Sequence, residues 1–149
     1  MRSFEDDLTP SKFKSQRQKG FLNILYTANF LRDKAAPFFK ANGLLHQHYN
    51  ILRIVKGKKG EPTSPGQIIE VMLDKGRDLT RLVDKLVKLG YLERRTSTLN
   101  RRKVEIFITA EGDSILKKID ENIIKFYDKM GIEEEEAKML NKLLNKVRR

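Results

Sequence analysis

The chain is 149 residues long, 39% hydrophobic and 34% charged, with 31 Lys and Arg against 20 Asp and Glu for a net charge of +11 at pH 7. A chain of this size can bury roughly 68–70% of its unfolded surface without staples. It has no cysteine, which excludes a disulfide scaffold, thiolate zinc sites and thiol chemistry and fits a reducing cytoplasm.

The opening MRSFEDDLTP carries three acids and no apolar core, unlike a secretory signal, and no apolar run approaches a membrane span. The basic excess favours a polyanion, either nucleic acid or an anionic membrane face. In chain order, a long helix is expected from about Ser11 to Lys40, because Phe21, Ile24, Leu25, Ala28, Leu31 and Ala35 recur at helical spacing, with Pro37 near its end. A second helix is expected from Leu44 to Lys56, after Gly43. The loop KGKKGEPTSPG leads into a short helix with a capping box at Ser64 and Gln67 and Pro65 at its first position. That helix takes in Ile68, Ile69, Met72 and Leu73 and ends at Asp74–Gly76.

Asp78 then caps a fourth helix in which Leu79, Leu82, Val83, Leu86 and Leu89 share one stripe, and Gly90 stops it. Two helices joined by a short glycine-containing turn predict a helix-turn-helix. The period then changes to two. Tyr91–Arg95 and Lys103–Thr109 read as a β-hairpin around a polar turn. A helix from Thr109 carries Ile115, Ile119, Ile123, Phe126 and Met130. A last one runs from the acidic Glu133–Glu136 to a basic end, which suits the helix dipole.

A helix-turn-helix followed by a basic hairpin is a winged helix. Between Arg77 and Lys103 there are nine bases against three acids in 27 residues, so the charge concentrates on the two elements that would meet a duplex. Phosphate neutralisation there would make binding steeply salt-dependent. The stretch LTRLVDKLVKLGYLERR (79–95) and the wing signature NRRKVEIFITAEG (100–112) resemble the recognition helix and wing of the MarR family of transcription factors, over roughly Gly20 to Lys146. Asn100 stands where that family usually has an Asp that pairs with a wing arginine.

The resemblance implies a mainly α (α+β) winged helix-turn-helix lobe at 44–109, with a helical dimerisation region formed by 1–43 and 110–149. It implies a homodimer that reads a palindromic double-stranded DNA operator, probing sites about 34 Å apart, most simply as a repressor. The dimerisation expectation falls on Phe13, Phe21, Ile123, Leu140, Leu144 and Val147.

Arg81 is expected in the DNA interface because it leaves the apolar stripe in the first turn of the fourth helix, where an arginine can fork onto guanine or a phosphate. Arg77 and Thr80 share that helix end, Lys85 lies one turn on, and Ser64 and Gln67 open the preceding helix, where backbone N–H groups clamp phosphate. Arg101, Arg102 and Lys103 belong to the wing, with Arg102 aligned to the family's minor-groove arginine.

Family members commonly bind a small acidic or aromatic effector between the dimer helices and the lobe, which would place Tyr26, Phe30, Arg32, His46 and Tyr49 around it. His46 and His48 face different sides of one helix and cannot share a metal. No cofactor, metal or nucleophile–base–acid set is expected, and thus no enzyme. Two other readings of the same residues are an effector-blind architectural DNA binder and a winged-helix protein adaptor that does not touch DNA.

Overall fold

The structure, a computed structural model, describes residues 13–74, 78–98, 100 and 103–148. Its elements in chain order are α1 (Gln16–Lys40), α2 (His46–Lys56), α3 (Pro65–Val71), α4 (Leu79–Lys88), β1 (Leu92–Thr96), β2 (Val104–Ile108), α5 (Ala110–Tyr127) and α6 (Glu134–Val147). The two strands pair antiparallel, Leu92 opposite Ile108 and Thr96 opposite Val104. The mainly helical winged-helix class predicted above is the one observed.

Local chemistry sets most boundaries. Ser15 caps α1 by accepting from the Gln18 N–H, so this helix starts several residues after the expected Ser11, which lies outside the described residues. Gly43 takes φ +67 after α1, and the Leu44 N–H then reaches back to the Phe39 carbonyl at 3.0 Å, closing the helix end as a left-handed C-terminal residue does. The Ser64–Gln67 box is reciprocal: the Ser64 hydroxyl accepts from the Gln67 N–H at 3.3 Å and the Ser64 N–H donates to Gln67 Oε1 at 2.9 Å. Asp78 accepts from the Arg81 N–H. Thr109 accepts from the Gly112 N–H at 3.0 Å while its hydroxyl donates to the Gly90 carbonyl at 2.6 Å.

Two expectations need correction. The short third helix ends at Val71, and Met72 is already extended, because its side chain turns into the core while the backbone leaves the helix. The loop before Ser64 is not wholly irregular either. Thr63 bridges to Ile106, with N–H to carbonyl distances of 3.0 and 2.9 Å in the two directions, and adds the stub of a third strand to the wing.

One core gathers all of this. Ile51, Leu52 and Val55 of α2, Ile68 of α3, Leu82, Val83 and Leu86 of α4, Leu92 and Ile106 of the hairpin, and Leu116, Ile119 and Ile123 of α5 pack together with Phe39 from the end of α1. Losing one of these side chains to alanine would cost about 2–5 kcal/mol. Ala35 and Phe38 near the end of α1 pack against it half-buried, whereas the earlier turns of α1 stay outside it and α6 has no buried residue among those described. Both carry large apolar groups in solvent, including Phe21, Leu25, Phe30, Met139, Leu140, Leu143 and Val147. No helix among the described residues is long and apolar enough to cross a membrane.

Candidate nucleic-acid interface

The core stripe of α4 decides which of its residues look outward. Leu79, Leu82, Val83 and Leu86 are buried, so Thr80, Arg81, Asp84, Lys85 and Lys88 are left on the exposed side. The start of α3 lies across an open groove from the wing: Pro62, Ser64, Pro65 and Gln67 form one wall, and Lys103, Val104 and Glu105 the other. Ser64 and Gln67 spend one acceptor each on their capping box. The Ser64 hydroxyl proton and the Gln67 amide NH2 remain as donors into that groove.

The bases of this region divide into two groups. Arg81 and Lys88 are exposed, and neither makes a side-chain hydrogen bond or ion pair with a described residue. Lys103, also exposed, helps line the groove. The other described bases, Lys85, Arg94 and Arg95, are engaged within the chain. Arg94 pairs with Asp84 at 2.7 Å, joining β1 to α4. Arg95 forks onto Glu93 at 2.6 and 2.7 Å and lies 4.9 Å above the Phe107 ring.

Lys85 corrects an expectation. Its ammonium donates to the Gly43 carbonyl at 2.7 Å, in the turn that follows α1. Arg77, Arg101 and Arg102 lie outside the described residues. Asn100 is described, and its carbonyl accepts from the Lys103 N–H at 2.8 Å inside the wing turn.

A second feature lies between the ends of α1 and α5. A cavity of about 350 Å³ is bounded by Arg32, His46 and Tyr49 together with Phe39, Phe126 and Tyr127 and several aliphatic groups. Of the five expected liners, Arg32, His46 and Tyr49 are there; Tyr26 and Phe30 are not among the lining residues. Burial first, and the Arg32 guanidinium second, lower the His46 pKa below its usual value, so the ring is neutral at pH 7. Tyr49 donates to Asp120 Oδ1 at 2.6 Å, and burial and that bond hold the phenol protonated. The cavity therefore offers one guanidinium, a neutral imidazole and aromatic walls. Among the described residues no group of three His, Asp or Glu could hold a metal.

The expected dimer residues are also placed. Phe21, Leu140 and Val147 are exposed and Leu144 is half-buried. Ile123 is corrected: it is 3% exposed and belongs to the core, because the α5 face it occupies packs inward on α2. The neighbouring Ile124 and Tyr127 are the exposed apolar groups of that helix.

The missed contacts differ in how readable they were. Glu93 and Arg95 are two apart on a strand and so share a face, which the sequence shows. Nothing in the sequence marks Asp84 for Arg94 or Gly43 for Lys85.

No family model matches the chain. Among curated proteins it is similar to the HTH-type transcriptional regulator PapX of Escherichia coli, 29% identical over 89 residues that cover 60% of this chain and 54% of that protein. It also resembles PecS of Dickeya dadantii, an HTH-type transcriptional regulator, at 28% over 131 residues, covering 85% and 78%. The chain thus spans about half the length of PapX. Among solved structures it is similar to a MarR transcription factor from Planctomyces limnophilus, with 27% identity and a TM-score of 0.69 over 92% of this chain and 98% of that one. A mutant MarR from Escherichia coli complexed with operator DNA superposes at a TM-score of 0.73 with 19% identity, covering 91% and 99%. An organohalide-sensing transcriptional regulator in its 2,4-dichlorophenol-bound form does so at 0.81 with 17% identity, covering 99% and 88%.

Proposed function

We propose that this chain is a winged-helix protein of the MarR type that binds double-stranded DNA as a homodimer and regulates transcription in the cytoplasm as a repressor, without catalytic activity. The observation that carries the reading is the pair of exposed cations, Arg81 and Lys88, which no side chain among the described residues engages, on the outer face of a helix whose other face is core, beside a groove edged by Lys103. α4 enters the major groove, where Arg81 forks onto guanine or a phosphate. The wing follows the adjacent minor groove, and Ser64 and Gln67 donate to the backbone between them. The operator is palindromic because a two-fold dimer presents α4 twice.

Arg81→Ala should weaken binding to the DNA upstream of the protein's own gene by about 10- to 100-fold, measured by fluorescence anisotropy. Unchanged affinity would take α4 out of the interface, and equal affinity for random duplex would favour an architectural binder. The dimer would form through the exposed apolar faces of α1, the end of α5 and α6, which a soluble monomer would leave in water. Leu140→Asp should turn a dimer into a monomer in sedimentation equilibrium and abolish specific binding at the same protein concentration. A dimer undisturbed by that change would move the interface elsewhere.

The cavity would take a small aromatic anion, its charge on Arg32 and its ring against Phe39 and Phe126. The solved relative that holds 2,4-dichlorophenol supports an aromatic ligand class. Occupancy would bias the spacing of the two lobes and hence operator affinity.

A further inference from the structure

We propose that Lys85 is a positioning residue: its bond to Gly43 ties the recognition helix to the α1–α2 junction and makes that junction the link between the cavity and the DNA-reading face. The reading of α4 as the DNA-contacting helix is presupposed. Lys85 Nζ donates to the Gly43 carbonyl at 2.7 Å across 42 residues of sequence. That carbonyl belongs to a tightly built corner. Gly43 has φ +67, the Asn42 and Leu44 N–H groups both return to the Phe39 carbonyl at 3.0 Å, and Leu44 is fully buried.

Both ends of the corner reach the cavity, Phe39 on one side and His46 on the other. A displacement of either ring by a ligand is therefore applied to a short, stiff segment whose middle holds α4. The opposite flank of α4 is held too. Asp84, the residue before Lys85, pairs with Arg94 of β1 at 2.7 Å. Consecutive helical residues point about 100° apart, from 3.6 residues per turn, so the two anchors pull α4 from different sides and fix its rotation about its own axis. Arg81 lies one turn before Lys85 on the same row of the helix, and that rotation sets where its guanidinium points.

A lysine that contacts phosphate and one that orients its helix differ in measurable ways. The test compares the wild-type chain, Lys85→Met and Lys85→Arg, each at full length. Operator binding is followed across a salt series, and backbone hydrogen exchange is followed in the free protein. Positioning predicts that Lys85→Met loses about tenfold in operator affinity, keeps the wild-type slope of log K against log salt, and exchanges the Asn42, Gly43 and Leu44 amides faster. Lys85→Arg, which can still donate to Gly43, should restore both. A slope reduced by about 0.9 with exchange at those amides unchanged would make Lys85 a phosphate contact and overturn the proposal, as would no change in either measurement. Exchange in the free protein needs no DNA, so the joint remains testable even if wild type fails to bind duplex, a result that would sink the DNA reading itself.

Discussion

Gly112→Ala should cost the fold more than ~3 kcal/mol, at or beyond the upper end of ordinary overpacking and a large part of the roughly 5–15 kcal/mol that holds a domain of this kind together. A Cβ at Gly112 would fall 2.0 Å from the Tyr91 carbonyl oxygen, 2.9 Å from the Tyr91 carbonyl carbon and 2.9 Å from Ile108 Cγ1. The nearest of these is backbone, and it cannot step aside. The Tyr91 N–H donates to the Leu86 carbonyl at 2.9 Å, the Tyr91 carbonyl accepts from the Thr109 N–H at 3.2 Å, and the Thr109 hydroxyl is bonded to Gly90 at 2.6 Å.

To admit a methyl group, the first turn of α5 must lift off the start of β1. That strips the Thr109 cap, worth about 1 kcal/mol, and opens the packing of the buried Leu92 and Leu116. Gly66→Ala is the matched control. It sits in the first turn of α3, where a Cβ would meet only the Ser64 hydroxyl oxygen at 3.9 Å, and alanine there should be neutral or stabilising by up to ~1 kcal/mol. Urea denaturation of the two variants reads the contrast directly. A Gly112→Ala protein within about 1 kcal/mol of wild type would disprove the close approach.

That pair of glycines also shows what a sequence carries and what it does not. Helix starts were legible where their chemistry is local: Ser64 with Gln67, Asp78 ahead of Leu79, and Thr109 three residues before Gly112 each combine a short polar acceptor with an N–H within reach. The hairpin was legible from its alternation. Lys85 was not, because an exposed base off an apolar stripe has the same pattern whether it faces phosphate or a carbonyl 42 positions away. Asp84 and Arg94 fail for the same reason: their contact exists only once α4 and β1 have turned back on each other. The Thr63–Ile106 bridge is a single pair, too short for any period. Ile123 was misplaced because α5 is apolar on two sides. Spacing reveals both faces, but only packing tells which of them its own chain covers.

Acid should weaken the fold through His48, by up to ~3 kcal/mol between neutral pH and pH 4. The ring is 2% exposed, and its Nδ1 accepts from the Leu45 N–H at 2.9 Å, closing the first turn of α2. Burial, and then the nearby Lys85 ammonium, lower its pKa from 6.5 to about 4. The unfolded chain therefore binds a proton at pH values where the folded one does not, and stability rises with pH across that window. The contribution is complete above about pH 6.5 and is lost progressively as pH falls toward 4, at about 1.36 kcal/mol for each pH unit separating the folded and unfolded pKa.

Protonation would do two things at once. It would remove the acceptor from Leu45 and place a cation beside Lys85, the residue that holds α4 to the same corner, so acid should loosen the recognition helix along with α2. His48→Gln isolates the effect, since a glutamine at the third helical position can accept from the capping residue's N–H but does not titrate. Denaturation midpoints measured at pH 7 and pH 4.5 should fall well apart for the wild type and move much less for His48→Gln. Equal acid sensitivity in the two proteins would assign the loss to the carboxylates instead, and a downfield-shifting His48 ring proton titrating near 6.5 in the folded protein would place that side chain in solvent.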